Sequence, residues 1–520
     1  MFIHQTLQRA VRLFGNKEAI VSGDVRLTYT ALEDRIGRLA GALADAGVRP
    51  GDHIAVMMLN CHRYLETYFA AERAGAVLAP LNHRLAPAEV SYILNDGGIT
   101  LLLIDAAFLP VYTACAADLT TLRKVIVAGG ERDPRFTDYE QALMAATPMT
   151  EVARAWQEDD LVHLYYTSGT TGRAKGVMLS QKNVISNAKH MIINLRLVPD
   201  DVFLHAAPMF HLADAWACWT VAWLGGKHVF LREFSAAGFL NLVQRERVSL
   251  TLIVPTMINL VINHPDIGSF DIGSLRLVAF GASPMPVDRL VQAMQVLGCG
   301  FTHMYGMTET APLATALAPE EMVPDGTEAY ARRLLSCGRE VVGVQVRVVR
   351  DDGTDVAPGE VGEIVMRGPN VMLGYWNQPD TTAVALRHGW MHSGDLATWD
   401  ADGYITIVDR AKDMIITGGE NVYSTEVEDA LYAHPAVLEA AVIAVPDERW
   451  GERVHAIVVL REGQSADADA LTAHCRSRIA GYKVPRSYDF LPSLPKTGSG
   501  KIQKALLRDP YWQGRERRVN

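Results

Sequence analysis

The 520-residue sequence predicts a multi-subdomain α/β protein. Two α/β units and an antiparallel β subdomain are expected in a large N-terminal part, followed by a small α+β C-terminal domain. Three observations carry this expectation. From about residue 53, short apolar runs alternate with longer amphipathic stretches, and after residue 180 the alternation begins again. Near residue 344 it gives way to a period of two, and beyond about residue 410 to short mixed elements. A chain of this length also exceeds what one hydrophobic core organises.

In the first unit, HIAVMM, GAVLAP, TLLLID and KVIVAG read as strands buried on both faces, since each is a short continuous apolar run. HRYLETYFAAERA, between the first two, has helical spacing. The stretch ITLLLIDAAFLPVYTACAA is interrupted by Asp105 and Pro110, so it reads as a strand and turn rather than a membrane span. In the second unit DVFLHAA, KHVFL, SLTLIVP and LRLVAFGAS repeat the pattern, which implies a second, mainly parallel sheet covered by helices. Val344, Val346 and Val348 then alternate with Gln345 and Arg347, and Asp352-Gly353 supplies a hairpin turn. GYITIVD is the last strand before the C-terminal domain. The expected domains are therefore 1–409 and 410–520, joined tightly, because no linker-like composition separates them.

A net charge of −10 excludes a general nucleic-acid or anionic-membrane surface, which needs a cationic excess, but leaves room for a local cationic pocket. The six cysteines are far apart and form no CxxC pair, a spacing that fits reduced thiols and a cytoplasmic setting. The first residues lack an apolar core and a small-residue cleavage site, so no signal peptide is expected.

The stretch YYTSGTTGRAKGVMLS, residues 165–180, concentrates hydroxyls, glycines and a lysine. Thr167, Ser168, Gly169, Thr170, Thr171, Gly172 and Gly176 suit an anion, because glycine lets backbone amides approach closely and hydroxyls add donors. Lys175 supplies the counter-charge. By composition alone, a polyphosphate loop and a flexible turn stand on even terms. A Walker A loop is excluded: Ala174 precedes Lys175 where that motif has glycine, and both flanks read as strands.

The same stretch closely resembles the phosphate-binding signature of the adenylate-forming superfamily, which includes acyl-CoA synthetases, peptide-synthetase adenylation domains and beetle luciferases. Further similar motifs follow in the superfamily's order: PMFH at 208–211, YGMTET at 305–310, SGDL at 393–396, DRAKDMIITGGENVYSTEVE from Asp409, and PKTGSGK ending at Lys501. RLTYTALEDRI and GDHIAVMMLN extend the likeness nearly to the N-terminus, and VPDERWGERVHAIVV resembles the acyl-CoA synthetase branch.

The resemblance implies that a carboxylic acid reacts with ATP and Mg2+ to give an acyl-adenylate, from which coenzyme A displaces AMP. It implies that adenine lies between Tyr305, followed by Gly306, and the small residues Gly281, Ala282 and Ser283. Thr308 would contact phosphate and Glu309 would bind Mg2+, a hard cation that takes oxygen ligands. Asp395 would accept from the ribose hydroxyls, Arg410 would contact ribose or phosphate, and Lys412 would be the hinge of a mobile C-terminal domain. Lys501 would touch the attacking carboxylate and the α-phosphate, while Gly418 and Gly419 would border the pantetheine passage. His211 is placed at the acyl pocket, and Trp216 near a gating position of fatty-acyl relatives. Trp216, Trp219 and Trp223 also share a helical face, which is the commoner sign of packing.

No arginine is placed to recognise a second carboxylate, so a medium- or long-chain fatty acid is the expected substrate. An aryl or arylalkanoate acid is the alternative, as is a stand-alone adenylation enzyme that loads a carrier protein. A non-catalytic nucleotide-binding protein is disfavoured because Glu309, Asp395, Arg410 and Lys501 are all present. The expected partners are the acid, ATP and coenzyme A, with no nucleic acid, no transmembrane segment, at most peripheral membrane contact, and a homodimer as the assembly.

Overall fold

A computed structural model describes residues 1–131, 133–167, 173–283, 285–323, 327–497 and 501–513. The chain forms two compact units, Met1–Val346 with Met366–Met391, and Arg347–Val365 with His392–Asn520.

Among the described residues, the first unit holds sheets of eight and nine strands. The four apolar runs of the first α/β unit become His53–Met57, Val77–Pro80, Ile99–Asp105 and Lys124–Ala128. These pair in parallel, as predominantly apolar strands with covered faces should. The second set becomes Val202–His205, Lys227–Phe230, Leu250–Leu252 and Leu277–Gly281, continued in parallel by Gly300–Tyr305. The helix Leu212–Leu224 is apolar on nearly every face and almost wholly buried.

Two strands cross the order that local pattern suggests. Glu18–Ser22, near the start of the chain, joins the later sheet by parallel pairing with Lys227–Phe230, Ile20 opposite His228. Gly374–Tyr375 joins the earlier sheet, antiparallel to Lys175–Ser180. The second of these matters for the site below.

In the second unit Met391–Trp399 and Ile405–Arg410 form an antiparallel pair. A further sheet is built on the long hairpin Val437–Asp447 and Gly451–Leu460. Helices Ser424–Tyr432 and Ala468–Arg476 cover it, closing a core that includes Val427, Leu431, Val442, Val458 and Leu471. This is the small α+β body expected from the sequence. Compactness groups residues 392–410 with it, whereas the sequence ends the N-terminal part at residue 409. Among the described residues, no helix is long and apolar enough to cross a membrane.

Candidate active site

The hydroxyl- and glycine-rich stretch is flanked by two paired strands. Leu161–Thr167 and Lys175–Ser180 pair antiparallel, with Thr167 opposite Lys175 and Tyr166 opposite Gly176. Ser168, Gly169, Thr170, Thr171 and Gly172 lie outside the described residues. Strands on both sides are what the sequence implied. Gly176 is dictated by packing, since a Cβ would lie 2.9 Å from Leu164 and 3.2 Å from Trp376 and Tyr166. Tyr166 in turn donates to the Asp96 carboxylate at 2.6 Å, bracing the hairpin from below.

The residues expected to hold the nucleotide base meet at the C-terminal ends of two adjacent parallel strands, the usual ligand end of an open α/β sheet. Gly281 pairs with Met304, next to Tyr305. A Cβ on Gly281 would lie 2.1 Å from the Met304 carbonyl oxygen, so only glycine lets the strands approach this closely. Ala282 follows with φ +68°, turning the chain sharply away. Gly306 has a similar reason, because its Cβ would lie 1.8 Å from the Pro312 carbonyl oxygen.

Thr308 and Glu309 occupy a single 3₁₀ turn, Thr308–Thr310. Asn370 fastens this turn by donating to the carbonyls of Thr310 (2.7 Å) and Leu313 (2.8 Å). Glu309 is 7% exposed, and its Oε1 accepts from the Tyr375 hydroxyl at 2.8 Å. Burial and the adjacent Glu309 push the Tyr375 phenol up, so it remains a donor. The Lys175 ammonium lies 5.2 Å from the centre of the same tyrosine ring. Among the described residues no group of three metal-ligating side chains gathers. One buried carboxylate beside a threonine hydroxyl is nevertheless the donor set that suits Mg2+ arriving with a triphosphate, since that ion keeps phosphate and water ligands. Tyr375 and Asn370 were missed from sequence, because neither belongs to a motif with its own spacing.

His211, expected at the acyl pocket, is the residue preceding the helix Leu212–Leu224. Its ring lies 4.3 Å from that of Phe210, which meets His83 edge-on at 5.1 Å, and His83 stacks on Phe108 at 5.1 Å. Trp216 does not join this cluster. It is fully buried, lies edge-on to Phe203 at 5.4 Å, and gives its indole N–H to the Ala213 carbonyl. That is helix packing, the commoner outcome for such a stripe. The helix is also anchored through Asp214, whose carboxyl lies 2.6 Å from His205 Nδ1, with His228 3.0 Å beyond. Burial lowers His205 to about 3 and raises Asp214.

In the second unit Asp395 and Arg410 face each other across the antiparallel pair, with Arg410 Nε 3.4 Å from the Asp395 carboxylate. Glu363 holds the preceding turn by accepting from the Gly394 N–H at 2.9 Å and bonding His392 at 2.7 Å. Lys412 is partly buried, which lowers its pKa, and its carbonyl accepts from Arg508. Gly418 and Gly419 form the two-residue turn of a hairpin in which Thr417 pairs with Glu420. Their φ values of +62° and +87° demand glycine whatever passes nearby. A Cβ on Gly418 would lie 2.6 Å from Trp450, whose ring centre is 4.7 Å from the Arg449 guanidinium and 4.5 Å from that of Arg486. The Lys501 backbone closes a bridge with Thr497, N–H to carbonyl in one direction and N–H to hydroxyl in the other; Gly498, Ser499 and Gly500 lie outside the described residues.

The family model described as AMP-binding enzyme matches residues 7–376, and that of the AMP-binding enzyme C-terminal domain matches residues 426–501. The chain is 42% identical over 501 residues to a feruloyl-CoA synthase of an Amycolatopsis species, covering 96% of this chain and 97% of that protein. It is 36% identical over 504 residues to a fatty acid–[acyl-carrier-protein] ligase of Streptomyces coeruleorubidus, covering 95% and 93%. Its structure is similar to that of an anthranilate CoA ligase in complex with anthranoyl-AMP, with a TM-score of 0.89, 26% identity, and coverage of 98% and 97%.

Proposed function

Because the chain belongs to the AMP-binding enzyme family, we propose that it activates a flat, ring-bearing monocarboxylic acid with ATP and transfers the acyl group to coenzyme A. Its class is that of an AMP-forming acid–thiol ligase of the acyl-CoA synthetase branch.

In the first half-reaction a carboxylate oxygen attacks the α-phosphorus of ATP and the bond to pyrophosphate breaks. Tyr305 and the turn Gly281–Ser283 seat the base, Asp395 accepts from the ribose hydroxyls, and Arg410 steadies the sugar–phosphate end. The hairpin loop and Lys175 hold the phosphates, and Thr308 donates to them. Mg2+ bound with ATP neutralises phosphate charge, and Glu309 would hold it. The Lys501 ammonium keeps two anionic reactants together and stabilises charge that develops between them. In the second half-reaction the coenzyme A sulfur attacks the acyl carbon and AMP leaves. The pivot at Lys412 between N-terminal residues 1–409 and the C-terminal domain separates the two steps. Gly418, Gly419 and the arginine-flanked Trp450 serve the coenzyme A end, where an aromatic face and cationic groups suit its nucleotide.

The observation that carries the choice of acid is the ring cluster Phe108, His83, Phe210 and His211 beside a Trp216 that is consumed in packing. The 42%-identical feruloyl-CoA synthase supports the same choice. A medium- or long-chain fatty acid is the second reading, favoured by the 36%-identical fatty-acid ligase, which also keeps a carrier protein open as acceptor. The test is kcat/KM for CoA-thioester formation across ferulate, cinnamate, benzoate and straight-chain acids from C4 to C16. Ring acids should lead by about tenfold or more. A steady rise of up to about fourfold per methylene, with ring acids trailing, would overturn this choice in favour of the fatty acid.

A further inference from the structure

The short segment Pro369–Trp376 fastens two parts of the phosphate machinery that are distant in sequence. On one side, the Met372 N–H donates to the Glu309 carbonyl at 2.9 Å. On the other, Leu373 N–H donates to the Met178 carbonyl (2.9 Å) and Trp376 N–H to that of Gly176 (2.7 Å). The segment is itself pinned, because the Asn183 side chain donates to the carbonyls of Pro369 and Val371, and the Tyr375 N–H donates to the Thr382 hydroxyl. Its backbone therefore sets the spacing between the Glu309 turn and the strand that begins at Lys175.

One side chain spans the same gap. Tyr375, 8% exposed, donates from its hydroxyl to Glu309 Oε1 and presents its ring to the Lys175 ammonium. We infer that Tyr375 is a positioning residue, which orients the Glu309 carboxylate for Mg2+ and the Lys175 ammonium for the phosphates as one unit. The proposal rests on the roles given above to Glu309 and Lys175. The hydroxyl serves the carboxylate: a metal-binding carboxylate pinned at one oxygen loses rotational freedom, and partners of this kind typically change metal affinity by about 10- to 100-fold. The ring serves the lysine through its negative face.

Two substitutions separate these parts. Tyr375→Phe keeps the ring and removes the hydroxyl, whereas Tyr375→Leu removes both. ATP is bound without the carboxylic acid, so that no turnover occurs, and Mg2+ is titrated calorimetrically into the ATP-saturated protein. Tyr375→Phe should weaken Mg2+ by about tenfold or more while leaving ATP affinity in EDTA within about twofold. Tyr375→Leu should weaken both. In turnover, Tyr375→Phe should raise the Mg2+ concentration for half-maximal rate, an effect that lowered stability alone does not produce. Glu309→Gln distinguishes the two levels of the argument. If it weakens Mg2+ while a folded Tyr375→Phe leaves Mg2+ affinity as in the wild type, the positioning role is overturned and the Glu309 assignment stands. If Glu309→Gln also leaves Mg2+ affinity unchanged, both fall.

Discussion

Replacing Gly281 by alanine adds one methyl group at the point where the two strands proposed to hold the base come closest. The new Cβ would lie 2.1 Å from the Met304 carbonyl oxygen, where such contacts do not fall below 3.0 Å. Both the Gly281 Cα that carries the methyl and the Met304 oxygen are backbone-fixed, so no rotamer relieves the overlap, and the strands must part by about 1 Å at a cost of roughly 1–3 kcal/mol. Tyr305 follows Met304 directly and Ala282 follows Gly281, so the displacement falls between the two faces proposed to hold adenine. A misplacement of about 1 Å costs on the order of 10²-fold in rate. Pyrophosphate release at varied ATP should therefore show kcat/KM for ATP reduced by about that factor, with thermal denaturation run in parallel. Gly268→Ala is the control, since nothing lies within 4 Å of its Cβ. A Gly281→Ala protein with native kinetics for ATP, even if less stable, would refute the placement of the base.

Two further outcomes are expected. Lys501→Ala should slow acyl-adenylate formation by about 10²–10³-fold, the scale of one preorganised charge stabiliser, and spare thioester formation from supplied acyl-adenylate; equal loss of both steps would remove it from its role. His163 is fully buried, has no hydrogen-bond partner on either ring nitrogen among the described residues, and is held down to about 3 by burial. The unfolded chain takes up that proton near pH 6.5 and the folded one only near 3, so stability is lost as pH falls through that window. From pH 7 to 5 the loss is about 2 kcal/mol, which His163→Phe should abolish; urea unfolding that shows the same pH sensitivity in both proteins would disprove the cause.

How far the site could be read from sequence depended on where its information lay. Asp395 and Arg410 were singled out by motifs, whereas the antiparallel register that pairs them, which shifts between Leu396 and Ala397, has no local sequence signal. Gly281 was expected, by resemblance, to be a small residue beside a base, whereas its close approach to Met304 depends on a strand twenty residues later. Tyr375 had no such signal. A two-residue strand has no period, and its partner near Val177 is almost two hundred residues away. Trp216 shows the reverse limit: one helical stripe is compatible with pocket wall and with core, and only the position of Phe203 decides between them.

The parallel pairing of Glu18–Ser22 with Lys227–Phe230 also constrains how the protein is made. At roughly 5–20 residues per second, the partner of the first strand leaves the ribosome some 10–40 seconds after the strand itself. During that interval Ala19, Ile20 and Val21, all buried at the end, have only the short antiparallel partner Val25–Thr28 and no inner sheet neighbour. The earlier sheet can gather several of its strands in the meantime, so assembly from the N-terminus would begin with residues 53–128 and return to the first strand later. For the same reason, a fragment cut between residues 28 and 227 would retain an apolar strand with its inner sheet neighbour missing, and would be prone to association through that edge.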